Sequence, residues 1–183
     1  LLAEADEALR LAEEALLEGR IVALKGIGGF QLLVDATNDA AVRRLRARKA
    51  REHKPLAVLA RDLATVGSWA FVGPEEGKVL ESSAGPIVLL ERRPDAPVAP
   101  SVAPENPLLG VMLPTTPLHA LLASDLGLPL VATSGNLSDE PICIGEEEAL
   151  RRLGGVADLF LSHDRPIHRH VDDSVVRVAR GRP

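Results

Sequence analysis

The chain has 183 residues, 46% of them apolar, which is enough for a sizeable core and argues against disorder. Aromatic residues are only 2%, with no tyrosine, so few rings are available to stack single-stranded bases, and a pI of about 5.6 with a net charge of −5 argues against a broadly basic duplex-binding surface. A single cysteine, Cys143, excludes an internal disulfide and any zinc site needing two thiolates; no apolar run reaches the roughly 20 residues that span a bilayer, and a cytoplasmic location is expected.

Apolar residues at helical spacing (Ala5, Leu9, Ala12, Leu16) predict an amphipathic helix over 2–18, ended by Gly19. The N-terminal Leu1-Leu2-Ala3-Glu4 carries neither Met nor a secretion signal, and one domain, 1–183, excised from a longer multidomain protein is expected. Ile21-Val22-Ala23-Leu24 reads as a buried strand running into Lys25-Gly26-Ile27-Gly28-Gly29-Phe30, whose glycines permit close backbone approach to a ligand. Thr37 or Asn38 caps the next helix, which turns Val42 and Leu45 inward and most of its arginines outward.

Strands are predicted at Leu56–Leu59 and Pro86–Leu90, with short helices near 62–68 and 74–82 between them. Five prolines from Pro94 to Pro107 exclude regular structure and leave a surface loop or a lid. Leu109–Leu113 is a strand, Pro117 opens a helix ending at Gly127, and Leu130–Thr133 is another strand. A helix over Glu146–Leu153 and strands at Asp158–Ser162 and Ser174–Ala179 complete the pattern. Helices and strands interleave without a strict βαβ period, which points to an α/β chain of the α+β type: a twisted mixed parallel and antiparallel sheet in a three-layer sandwich.

The cations are concentrated. Arg43 to Lys54 carries seven of them against one carboxylate, about +6, while the remainder of the chain sums to about −11. Pro55 ends this basic run, so a helix end and loop are offered to a compact polyanion such as a nucleoside triphosphate. A solvated basic helix face is the plain alternative. Lys49 and Arg51 would share one side if the helix unwinds between them, with Lys54 just beyond.

The glycine segment lacks the final glycine of a dinucleotide fingerprint and the Gly-Lys-Ser/Thr of a Walker loop, so it is a tight turn or, with Lys25 before it, a ligand contact. Thr133 to Pro141 follows a buried strand and is rich in hydroxyl and amide groups; Ser134 and Asn136 suit phosphate oxygens or a ribose, or make an ordinary turn. In His163–Ser174, pairing of Arg165 or Arg169 with Asp172 or Asp173 is expected. His168, His170 and Asp172 have a spacing that also suits a metal, but histidines near strand ends more often hydrogen-bond, and no metal site is assigned. His119 has no nucleophile linked to it, so no serine triad is evident.

Six segments in order closely resemble the YrdC-like domain of the HypF hydrogenase-maturation carbamoyltransferases. They are Lys25–Phe30, Asp35–Asn38, Arg48–Arg51 with Lys54-Pro55, Leu109–Pro114, Thr133–Pro141, and His163–Ile167 with Asp172–Val176. The wider YrdC family, including threonylcarbamoyl-AMP synthases, shares the Lys-x-Arg and Ser-x-Asn pairs, here Lys49/Arg51 and Ser134/Asn136, but differs in the first loop and usually has arginine at Met112. The resemblance implies a three-layer YrdC-like fold with helices on both faces and a concave nucleotide site. It implies formation of carbamoyl-adenylate from ATP, with Mg²⁺, and a carbamoyl group derived from carbamoyl phosphate. The group would then pass through other domains of the same protein to a HypE-like acceptor.

On that basis Lys49, Arg51 and Ser134 are the expected catalytic residues, and Lys25, Gly28, Gly29, Lys49, Arg51, Lys54, Thr133, Ser134, Asn136 and Arg165 the nucleotide and phosphate contacts. Competing readings are a threonylcarbamoyl-AMP synthase serving tRNA modification and a non-catalytic RNA-binding module using the basic run; nucleic acid is the disfavoured partner, and no membrane is expected. Gln31, Thr115 and His170 depart from the family pattern, where His, Tyr and Arg are common.

Overall fold

The computed structural model describes residues 2–138 and 140–179. Helix α1 (Ala5–Leu17) buries a stripe of Ala12, Ala15 and Leu16, and Gly19 follows in the left-handed region. Strands β1 (Val22–Lys25) and β2 (Phe30–Asp35) form an antiparallel hairpin in which Lys25 faces Phe30, so the glycine segment is its turn. Helix α2 (Asp39–Lys49) starts where the Asn38 side chain accepts a hydrogen bond from the Ala41 backbone N–H at 3.1 Å. Then follow β3 (Ala57–Leu59), α3 (Leu63–Trp69), β4 (Ala70–Phe71), α4 (Pro74–Leu80), β5 (Ile87–Arg92), a 3₁₀ turn (Pro100–Val102) and β6 (Leu108–Met112). Helix α5 (Pro117–Leu126), β7 (Leu130–Ser134), α6 (Glu146–Leu153), β8 (Leu159–Leu161) and β9 (Val175–Val176) complete the chain.

One mixed sheet runs in the order β4-β5-β6-β3-β7-β2-β1-β8, with β9 beside β5. Both faces are buried because successive strand residues alternate between two cores: Ala23, Leu32, Val58 and Val131 face α2, α3, α4 and α6, while Leu24, Leu33, Leu59 and Leu130 face α1 and α5. A sheet covered on both sides needs apolar residues at every strand position, which is why these strands read as unbroken apolar runs. The three-layer mixed sheet is thus as expected. No helix among the described residues is long and apolar enough to cross a membrane.

Four local expectations change. β2 was not anticipated as a strand, because Phe30-Gln31 lies at the mouth of a glycine turn and masks the apolar run after it. The closing strand shortens to Val175–Val176. The proline-rich 94–107 segment is not a lid: Val98, Ala99, Val102 and Ala103 are buried in the core, and the Ser101 backbone N–H is accepted by Asp39 of α2 at 3.1 Å. Nor is the α2 arginine face simply outward. Buried Arg46 donates to the carbonyls of Ser101 (2.5 Å), Arg51 (3.0 Å), Glu52 (3.1 Å), Lys54 (3.2 Å) and Val102 (3.1 Å), tying the proline segment and the post-helix loop to one guanidinium. The planar five-donor fork suits this job, since carbonyls from a loop and a turn converge on it.

Arg46→Met removes this donor from all five carbonyls, of which Val102 and Lys54 keep another, and is expected to lower the unfolding free energy by about 3 kcal/mol in urea denaturation. Arg43→Met, at an exposed ion pair with Asp39, should change it by less than about 0.5 kcal/mol.

Candidate functional site

β7 is the central antiparallel partner of β2 and β3, and its C-terminal end carries Thr133 and Ser134 to the mouth of the β1–β2 turn. The chain beyond is clamped there: Gly135 N–H donates to the Phe30 carbonyl (2.7 Å), Cys143 N–H to Gly135 (2.9 Å), and Phe30 N–H to Cys143 (2.8 Å). Gly135 is required, since a Cβ would lie 2.6 Å from the Phe30 carbonyl oxygen. Gly28 meets a similar limit against Val171, so this glycine admits the 163–174 segment across the turn.

α2 ends at Lys49 because Ala50 takes a left-handed conformation with φ 51°. That single reversal sends Lys49 and Arg51 to the same place. The Lys49 ammonium, 1% exposed, donates to the Ser134 carbonyl (2.5 Å), the Asn136 carbonyl (2.5 Å) and Asn136 Oδ1 (2.6 Å). Ser134 Oγ also donates to Asn136 Oδ1 at 2.7 Å, and Ser138 Oγ returns a bond to the Ala50 carbonyl at 2.8 Å. Arg51 donates to Thr133 Oγ1 (3.3 Å) and the Pro55 carbonyl (2.7 Å). Burial, with the Arg51 charge second, pushes the Lys49 amine down to about 7, although three oxygens solvate its charged form. Burial, with the Arg46 charge, also lowers Arg51, which remains a cation.

Beside this cluster lies a cavity of about 790 Å³, lined by the 26–31 turn, Ser82–Gly85, Leu113–Thr116, Ser134 and Asp172–Ser174. Its charged lining is Arg61 against Asp62, Glu81, Asp172 and Asp173. The expected site residues therefore divide. Ser134, Gly28 and Gly29 line the cavity; Lys49, Arg51, Thr133 and Asn136 stand behind Ser134. The Lys54 side chain is exposed, and its carbonyl is held by Arg46 and Arg51. Lys25 and Arg165 line a second hollow of about 700 Å³, which shares Gly26, Ile27, Thr116 and Val171 with the first. There the buried Lys25 ammonium meets Glu146 (2.9 Å) and the His163 carbonyl (2.7 Å). Asp139, within the hydroxyl-amide loop, lies outside the described residues.

The expected pairing of Arg165 or Arg169 with Asp172 or Asp173 is not what forms. Val171 N–H is held by the Gly28 carbonyl at 3.1 Å, so Arg165 falls on one side of the turn and Asp172 and Asp173 on the other. Asp172 lies 3.4 Å from His170, and Asp173 accepts from Gln31 at 3.4 Å. Sequence reasoning also passed over His119. It is 1% exposed, lines the cavity, and contacts Gln31 Oε1 at 2.7 Å and Thr115 Oγ1 at 3.2 Å, so two of the three positions departing from the family pattern meet on this ring. That coincidence was the available signal, but it needs the hairpin register to be seen. Burial pushes the His119 imidazole down to about 4.

A family model labelled Sua5/YciO/YrdC and described as telomere recombination matches residues 14–183. The chain belongs to this Sua5/YciO/YrdC family. It is 49% identical over its whole length to a carbamoyltransferase HypF of Synechocystis sp., covering 24% of that protein, and 51% identical over 174 residues, 94% of this chain, to one of Rhodobacter capsulatus, covering 23%. A crystal structure of full-length HypF in a phosphate- and nucleotide-bound form superposes with a TM-score of 0.90 at 47% identity, over 93% of this chain and 27% of that one. The chain thus spans about a quarter of the length of these relatives.

Between pH 6.5 and 4 the unfolded chain carries a proton on His119 that the folded chain refuses, so stability falls as pH drops through this window. Relative to His119→Leu, the wild-type unfolding free energy should decline by about 3 kcal/mol by pH 4 and then level off, measured as urea midpoints across pH.

Proposed function

We propose that this chain binds ATP in the cavity beside Ser134 and joins a carbamoyl group to its α-phosphate, giving carbamoyl-adenylate and pyrophosphate. The observation that carries the reading is the convergence of Lys49 and Arg51 with Thr133, Ser134 and Asn136 at one end of that cavity. The kinship with proteins named carbamoyltransferases and with a nucleotide-bound structure supports it.

Hydrolysis of carbamoyl phosphate consumes water and gives carbamate and phosphate; carbamate then attacks through an oxygen, and the bond from that oxygen to the α-phosphorus forms as the bond to pyrophosphate breaks. The attacking group is already an anion, so no general base is needed. The obstacle is repulsion between anions. Arg51 and, when protonated, Lys49 place positive charge just behind Ser134, where exclusion of water strengthens it. Ser134, held by Asn136 Oδ1, offers a short fixed polar group at the cavity wall that orients the reactants. Lys25 and Arg165 act from the far side of the turn, at the second hollow.

Among the described residues no cluster of three or more His, Cys, Asp or Glu could hold a metal by itself, so the expected Mg²⁺ would depend on phosphate oxygens together with cavity carboxylates. Glu81 and Asp172 would hold it together with phosphate oxygens, the usual arrangement for an ion that keeps one or two carboxylates, and it would supply charge neutralisation between polyphosphate and acidic lining. The chain would work within a longer polypeptide whose other domains supply the carbamoyl group and pass it toward a HypE-like acceptor. The RNA-binding alternative loses ground because the basic run is spent internally: Arg44 holds the Gly19 carbonyl, Arg46 five carbonyls, and Arg48 Asp158 at 2.6 Å.

Arg51→Ala should weaken ATP binding at least about tenfold in a calorimetric titration while far-UV circular dichroism is unchanged; equal affinity overturns the assignment of this end of the cavity. Pyrophosphate release should be supported by carbamoyl phosphate. Release with threonine plus bicarbonate in its place would instead establish a threonylcarbamoyl-AMP synthase.

A further inference from the structure

Along one wall of the cavity, four residues from separate parts of the chain form a single line of hydrogen bonds. Nδ1 of His119 receives the Thr115 backbone N–H at 3.5 Å and lies 3.2 Å from the Thr115 hydroxyl. Nε2 of His119 lies 2.7 Å from Gln31 Oε1, and Gln31 Nε2 donates to Asp173 Oδ2 at 3.4 Å. His119 is held there by its place in the first turn of α5, where its own N–H is capped by Thr116 Oγ1 at 3.0 Å.

The direction of the line is dictated from both ends. A backbone N–H can only donate, so Nδ1 is an acceptor and the proton of the neutral ring sits on Nε2. That proton needs an acceptor, which turns the oxygen of the Gln31 carboxamide toward the ring and its NH₂ toward Asp173. An ionised carboxylate can only accept, so Asp173 demands the same orientation. The Gln31 amide is therefore locked, not free to flip.

The consequence is a donor and an acceptor standing side by side on the cavity wall, 3.4 Å apart, which is long for a hydrogen bond between them. Each has capacity left: the second N–H of Gln31 has no other partner among the described residues, and a carboxylate has several lone pairs. Asp173 keeps much of its surface accessible yet sits on a concave wall, where desolvation holds its carboxyl above the usual range. A group that brought it a donor would be welcome there. The edge of a primary carbamoyl group, with a carbonyl oxygen beside an NH₂, is complementary to this pair.

We propose that Gln31 and Asp173 are the recognition edge for the carbamoyl group, Gln31 donating to its carbonyl oxygen and Asp173 accepting from its NH₂, with His119 as the positioning residue that locks Gln31. This rests on the reading of the cavity given under Proposed function. It assigns chemistry to the wall opposite in character to the cationic end: the cations attract phosphate, and the amide and carboxylate select nitrogen over carbon or oxygen. An acetyl group, with CH₃ in place of NH₂, would leave Asp173 facing a methyl.

The test compares carbamoyl phosphate with acetyl phosphate by titration calorimetry, each in the presence of a non-hydrolysable ATP analogue that is also titrated alone. Wild type should prefer carbamoyl phosphate by at least about tenfold. Asp173→Ala, at an accessible position, should erase the preference by weakening carbamoyl phosphate while acetyl phosphate binding is retained. His119→Phe should reduce it, and His119→Gln, whose carboxamide can also donate to Gln31, should restore most of it. Binding of the analogue without discrimination between the two phosphates, or a preference that survives Asp173→Ala, overturns the recognition edge and leaves the nucleotide reading standing. Discrimination that follows the variants without any binding of the analogue keeps the edge and overturns the nucleotide reading.

Discussion

The buried ammonium of Lys49 is the contact on which the site depends. A lysine head group 1% exposed is tolerable only with its protons accepted, and here three oxygens from Ser134 and Asn136 accept them. Those oxygens lie at the end of β7 and on the first turn of the loop beyond it. The same bonds therefore hold the loop at the end of β7, stop α2 from sliding, and set Ser134 at the cavity wall. Because the amine is held near 7, its charge is adjustable around neutrality, and an arriving anion would favour the protonated form.

The basic run around it serves mainly as architecture. Arg44, Arg46 and Arg48 spend their donors on carbonyls and on Asp158, which join α2 to the α1–β1 turn, to the proline segment and to β8. A cluster of about +6 is thereby stabilised by protein dipoles, and only its C-terminal end is left to act on a ligand. The proline segment gains order from the same guanidinium and becomes part of the core.

Charge is distributed in a way that suits a reaction between anions. The 163–174 segment, pinned on the glycine turn, separates a hollow with Lys25 and Arg165 from a cavity lined by four carboxylates and Arg61. Positive potential reaches the cavity from behind Ser134, and Gln31, the cross-strand partner of Ser134, begins the line that runs to His119 and Thr115 on one side and to Asp173 on the other. Under the proposed reading, phosphate would be drawn to the cationic side of Ser134 and a neutral polar group read beside it.

Local pattern alone determined much of this protein: most of the apolar runs that make a doubly covered sheet and the Asn38 and Pro117 helix starts, while the family resemblance, not local spacing, grouped Lys49/Arg51 with Ser134/Asn136. These are legible because periodicity, capping and motif spacing act over a few residues. What the tertiary structure decided is which polar groups are already satisfied. Arg46 looks no different in sequence from Arg43, yet one is buried under five carbonyls and the other is exposed. Lys25, Arg165 and Asp173 divide between two hollows because Val171 crosses Gly28, and His119 meets Gln31 across 88 residues. Hydrogen-bond partners and burial are long-range quantities, set by how the β1–β2 hairpin, α5 and the final segment close on one another.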